Sequence, residues 1–239
     1  MKVRRLTRLG ITCLSAGVLS AGLLFGADSA ATRLKESALV LREIMGTPDK
    51  GIPKELLESS RCIVIVPGMK KGAFIVGATY GRGFMSCRMP SGTGWSAPAG
   101  VKVEGGSFGF QIGGSDTDAI MLVMNEGGAK KLMSSKFTLG ADAAVAAGPV
   151  GRRSSADTDL QMHAEILTYS RSQGVFAGVS LQGATLRPDE DANAELYGTK
   201  LSNQQIVMGK TKVPRAGAEL VAELNRYSLK RESAKKEPQ

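Results

Sequence analysis

The sequence predicts a single α+β domain: an antiparallel, glycine-rich β-sheet, sandwich or partly closed barrel with amphipathic helices at both ends. Eight short β-rich runs fill the middle of the chain, at 62–66, 74–80, 83–89, 106–112, 119–125, 141–147, 161–169 and 175–181, punctuated by Gly, Pro, Ser and Asp. Most connections between them are too short for a crossover helix, which argues against parallel βαβ units. Glycine makes up 30 of 239 residues without a G-X-Y period. That is well above the usual ~7%, and it predicts many tight turns and bulged strands.

The first element reads as an export signal. Lys2, Arg4, Arg5 and Arg8 precede an uncharged apolar run over residues 9–25, and small residues continue through Ala31. At ~1.5 Å per residue such a run is slightly short for the ~30 Å hydrocarbon core, so a cleaved signal peptide over 1–31 is preferred to an anchor. Cleavage is expected after Ala31, with Ala27 and Ala30 as alternatives. The domain is then 32–230, with a charged tail at 231–239.

In the segment 30–45, Leu34, Ala38, Leu41 and Met45 recur at i, i+4, i+7 and i+11 with charged residues on other faces, the pattern of an amphipathic helix. Gly46-Thr47-Pro48-Asp49 ends it. A short helix is expected over 52–59, with Pro53 near its first turn. Other helical pieces are expected at 128–134, after Pro188 and around 203–207. The closing helix carries Glu219, Leu220, Glu223, Leu224, Arg226, Tyr227 and Lys230, acids first and bases last as the helix dipole favours.

Composition narrows the chemistry. Residues 32–239 hold 27 Lys+Arg against 21 Asp+Glu, a net charge of +6. For an exported chain this points to anionic lipid head groups, acidic glycans or acidic protein faces, and away from nucleic acid. One histidine excludes a multi-His metal site within the chain. Cys62 and Cys87 both sit in expected strands. They either join, if the strands are neighbours in an oxidising compartment, or are two small apolar core residues.

No constellation makes a convincing catalytic centre, and no cofactor is expected. Gly105-Gly106-Ser107-Phe108-Gly109 satisfies G-x-S-x-G, with His163 downstream and Asp116, Asp142 and Asp157 between. Ser107 leads into an alternating glycine-rich strand, where a nucleophile elbow requires a helix. His163 alternates with Gln161 and Glu165 on a polar strand face. Asp189-Glu190-Asp191 begins like a calcium loop, yet Ala194 stands at the required glycine and Lys200 at the bidentate glutamate. Glycine- or serine-flanked basic groups remain as anion contacts: Lys70, Lys71, Arg82, Arg152, Arg153 and Arg171.

The phrases Ile65-Val66-Pro67, Lys71-Gly72, Gly81-Arg82-Gly83, Trp95-Ser96-Ala97-Pro98, Gly106-Ser107-Phe108-Gly109-Phe110-Gln111-Ile112-Gly113, Tyr169-Ser170-Arg171-Ser172-Gln173-Gly174 and Tyr197-Gly198 together resemble the SYLF domain, from about residue 31 to about residue 197. The resemblance implies phospholipid binding, notably of phosphoinositides in eukaryotic members, assisted by an amphipathic segment at the domain's start. A related domain of eukaryotic endocytic proteins binds actin. Carried over, membrane contact falls on the 31–45 helix through Leu34 and Leu41, and Lys70, Lys71, Arg82 and Arg171 are head-group candidates. No SH3 or FYVE partner domain is expected beside it, and export would remove it from cytosolic phosphoinositides and actin. The expected function is therefore a non-enzymatic, anionic-phospholipid-binding protein of the periplasm or cell envelope. The alternative is an envelope scaffold that recruits a protein partner.

Overall fold

The computed structural model describes residues 29–47, 51–73, 76–108, 113–150, 164–172, 175–178 and 181–230. Helix α1 is Ala30–Met45 and α2 is Lys54–Ser59. Strands β1 (Cys62–Ala73), β2 (Val76–Cys87), β3 (Ala99–Phe108) and β4 (Gly113–Val123) come next. Helix α3 (Glu126–Leu132) precedes β5 (Phe137–Thr138), β6 (Val145–Ala147), β7 (Ile166–Ser172), β8 (Val175–Gly178) and β9 (Thr185–Pro188). The chain closes with α4 (Glu190–Tyr197), α5 (Asn203–Met208), a 3-10 turn at Arg215–Gly217 and α6 (Ala218–Tyr227).

The strands form one sheet in the order β5-β9-β3-β2-β1-β4-β7-β6, with β8 also on β7. The expected antiparallel pairing holds throughout except between β6 and β7, which run parallel. Apolar alternation splits the central strands between two cores. Cys62, Val64, Val66, Met85, Val101 and Met121 pack with Leu132 of α3 and Ile206 and Val207 of α5. Ile63, Ile65, Phe84, Ile120 and Leu122 pack under α1 and α6. Burial on both faces explains why β1 opens as an unbroken apolar run, a pattern ordinarily typical of parallel sheets.

Several expected boundaries move. The runs at 74–80 and 83–89 belong to one strand, β2, and 62–66 extends through Pro67-Gly68 to Ala73. Gly81 and Gly83 lie inside β2 because β1 shifts register between Ile65 and Lys70 and presses onto them. A Cβ at Gly83 would stand 2.0 Å from the Ile65 carbonyl oxygen and 2.7 Å from Val66 Cα. Gly83→Ala is expected to cost about 2–3 kcal/mol as overpacking, read as a lower urea midpoint at unchanged m. The short strands β5 and β9 carry no alternation long enough to signal them.

The six expected helical pieces all form, with bounds shifted by a few residues. Helix α1 is capped at its start, where Ser29 Oγ accepts from Thr32 N–H at 3.1 Å and Ala30 N–H donates to Glu195 at 2.9 Å. Residues 1–28 of the expected signal and the tail 231–239 lie outside the described residues. Cys62 and Cys87 face each other across β1 and β2 and are joined by a disulfide, with Cα atoms 3.9 Å apart. This settles the two readings left open by their sequence context.

Candidate functional site

Leu34 and Leu41 lie on the buried stripe of α1, packed among sheet residues and Leu220 and Leu224 of α6. The helix is further fastened to α6 by Arg42, which meets Glu219 at 2.9 Å and Glu223 at 2.9–3.0 Å. The apolar face expected to meet lipid therefore serves the fold, and presenting Leu34 and Leu41 to a bilayer requires α1 to undock. Of the large apolar residues of α1, Leu39 is the one exposed.

The ladder brings Lys70, Arg82 and Arg171 into neighbouring positions across the sheet. Lys70 opposes Tyr80 of β2 and Asp116 of β4, Arg82 opposes Lys102 of β3, and Arg171 opposes Asp118 of β4. Their commitments differ. Arg82 donates twice to Asp189, at 2.6 and 2.9 Å, and Lys102 joins the same carboxylate at 3.3 Å. Asp189 is itself 1% exposed along its side chain and caps α4 by accepting from Ala192 N–H at 3.2 Å. Burial pushes that carboxyl upward, but the Arg82 and Ala192 hydrogen bonds and the charges of Arg82 and Lys102 outweigh it and hold the pKa below its ordinary value.

Arg171 is likewise engaged. It donates to Asp118 at 2.7 Å and pairs with Glu43 in the last turn of α1, while Asp118 accepts from Gly68 N–H at 2.9 Å in the β1 bulge. Arg82 and Arg171 thus tie α4, α1 and the bulge to the sheet, and a head group would have to compete with carboxylates at either one. Lys70 is different. Its side chain is 75% exposed, and it reaches the equally open Asp116 at only 3.6 Å, a pair worth about 0–1 kcal/mol. Tyr80, directly opposite, is 47% exposed. Lys71 comes after Lys70 in β1, opposite Thr79 and Ser115.

The remaining candidates fall into ordinary structure or outside the described residues. Ser107 lies in β3, opposite Gly77 of β2. Asp142 accepts from Thr138 N–H at 2.6 Å in a turn. His163, Asp157, Arg152 and Arg153 lie outside the described residues. Asp189-Glu190-Asp191 caps and opens α4 instead of forming a calcium loop. Among the described residues no group of three or more His, Cys, Asp or Glu could hold a metal ion.

Sequence reasoning missed a buried polar knot beside Asp189. Asn193 Oδ1 accepts from Gly100 N–H at 2.7 Å, its Nδ2 donates to Asn203 Oδ1 at 2.8 Å, and Asn203 Nδ2 donates to the Gly100 carbonyl at 3.0 Å. Its only signal was polar residues at inward helical positions. Such fully paired networks fix how helices seat on a sheet.

Comparison with known proteins gives a consistent picture. The family described as "Ysc84: Las17-binding protein actin regulator" matches residues 104–227. "SH3 domain-containing YSC84-like protein 1" of Homo sapiens is 31% identical over 205 residues, covering 83% of this chain and 59% of that protein. The Rattus norvegicus protein of the same name is 30% identical, covering 83% of this chain and 60% of its own length. "Protein YSC84" of Saccharomyces cerevisiae is 31% identical over 196 residues, covering 78% of this chain and 41% of that protein. The chain thus spans about three fifths or less of these relatives.

Proposed function

Because the chain belongs to the Ysc84 (SYLF) family, we propose that it is a non-enzymatic protein of the cell envelope that binds anionic phospholipid surfaces at the Lys70 end of the sheet. The observation that carries this reading is the exposed pair Lys70 and Tyr80, side by side on β1 and β2. An aromatic ring with a polar tip beside a loosely paired lysine is suited to a head-group layer. Arg82 and Arg171 act at one remove, by holding the bulge, α1 and α4 in place. The basic, apolar and small-residue order of 1–31 supports export, and a cut after Ala27 would preserve the Ser29 cap.

The test is co-sedimentation of the exported chain with phosphatidylglycerol or phosphatidylcholine vesicles. Binding to the anionic vesicles alone, weakened by salt, is expected. A lysine near such a surface contributes ~1 kcal/mol, so Lys70→Glu should weaken binding by about fivefold or more. Equal binding to neutral vesicles, or an unchanged Lys70→Glu variant, would refute the assignment.

The family description supports a second reading, in which the domain recruits a protein. Among the described residues β8 pairs with β7 alone, and Val175 on it is exposed. A strand edge can accept a strand from a partner. Pelleting with actin filaments, in the absence of lipid, separates the two readings.

A further inference from the structure

A cavity of about 530 Å³ opens beside the start of β1, and both halves of the Cys62–Cys87 disulfide line it. It is remote from the proposed membrane surface, since Cys62 begins β1 and Lys70 lies near that strand's other end. Arg61 and Arg88, the immediate neighbours of the two cysteines, line the same cavity, as does Lys130 of α3. Against these three cations the lining offers one carboxylate, Glu126, which pairs with Arg61 at 2.6 Å.

Arg88 is built into its position. It donates to the carbonyls of Leu57 at 3.0 Å and Ser228 at 2.6 Å, and its guanidinium stacks 4.0 Å from the Trp95 ring centroid. These contacts fix Arg88 in the cavity wall. Cys62 and Cys87 are 1% and 3% exposed in all and both line the cavity, so the cavity is the side from which a reagent approaches the disulfide. Neighbouring cations stabilise thiolates, which makes a cysteine a better leaving group in disulfide exchange. The volume suits a molecule of peptide or cofactor size.

We propose that Cys62–Cys87 is an exchange site for low-molecular-weight anionic thiols, held in this cavity by Arg61 and Lys130. The incoming thiolate attacks Cys87 Sγ, the Sγ–Sγ bond breaks, and Cys62 departs as a thiolate beside Arg61. The product is a mixed disulfide on Cys87. A second thiolate attacking that mixed disulfide releases the oxidised thiol dimer and leaves both cysteines reduced, so two electrons pass from two thiols to the protein disulfide with no other oxidant. The β1–β2 ladder continues through Ile63–Ser86 and Val64–Met85, which keeps the strands paired while the bond is open.

The experiment treats the full disulfide-bonded chain with glutathione, an anionic thiol, or cysteamine, a cationic one, at equal thiolate concentration. Adducts are tracked by intact mass and located by peptide mapping. Glutathione is expected to modify Cys87 at least tenfold faster than cysteamine, with the preference falling as salt rises. Arg61→Gln combined with Lys130→Gln should abolish the preference while leaving the urea midpoint of the oxidised protein unchanged. Absence of an adduct on the folded chain, adducts formed only in unfolding concentrations of urea, or equal rates for the two thiols would overturn the proposal. Vesicle binding is read separately, so failure here leaves the membrane reading intact.

Discussion

Asp189→Ala is expected to destabilise the fold by about 3–5 kcal/mol, the cost of stranding a partly buried cation by removing its partner. Asp189 is the nearly inaccessible half of its pair with Arg82, and Lys102 shares the same carboxylate. The substitution also removes the α4 cap, a contribution of about 0.5–2 kcal/mol that overlaps with the first and does not simply add to it. A loss of that size is a large share of the 5–15 kcal/mol that ordinarily separates folded from unfolded chains. Urea unfolding monitored through Trp95, the only tryptophan, reads it directly. Lys70→Ala serves as the control, since an exposed, loosely paired lysine should shift stability by less than about 0.5 kcal/mol. A loss below about 1 kcal/mol at Asp189 would refute the buried-pair account.

The same carboxylate sets a pH signature. Its folded pKa is depressed, whereas the unfolded chain titrates near the ordinary ~3.9. Between those two values the unfolded chain binds the extra proton, so stability falls as the pH drops through that window. The contribution is fully present above about pH 4 to 5 and disappears once the medium is more acidic than the folded pKa. Wild-type protein should therefore lose stability more steeply below pH 4 than Asp189→Ala, with the two curves converging in acid. Parallel curves would mean that Arg82 is neutralised by another group.

The elements legible in the sequence were those whose signal is local. The stripe Leu34, Ala38, Leu41 and Met45 and the acid-to-base order of α6 are visible in consecutive residues, and both helices form near their expected places. The long central strands were harder because Gly81 and Gly83 resemble turn residues. They are in fact sites where a bulge in β1 crowds β2. Basic residue types could be singled out, but not their commitments. Arg82 finds Asp189 across 107 positions and Arg171 finds Asp118 across 53, distances at which only the assembled register decides the partner. Lys70 keeps its exposed position because the carboxylate opposite it is as open to solvent as it is. The same dependence on register explains why Cys62 and Cys87 could be read either as a bond or as core filler until β1 and β2 were aligned.

That alignment leads to the second large effect: Cys62→Ala with Cys87→Ala, or full reduction, is expected to lower stability by about 3–4 kcal/mol. The bond closes a loop with a sequence separation of 25, for which restriction of the unfolded chain alone gives about 3.5 kcal/mol. The folded side should change little. Cys62 also opposes Val123 across β1 and β4, and Val64, Met85 and Met121 pack in the same core, so burial and the ladder hold the strands with or without the bond. The loss should therefore appear as a lower urea midpoint accompanied by a larger m, because the reduced unfolded chain exposes more surface. Wild-type protein under reductant should coincide with the double variant within the cost of trimming two buried thiols. A midpoint unchanged by reduction, with the bond shown to be open by mass, would mean that the β1–β2 contacts already confine the unfolded chain and that the disulfide contributes nothing to the fold's stability.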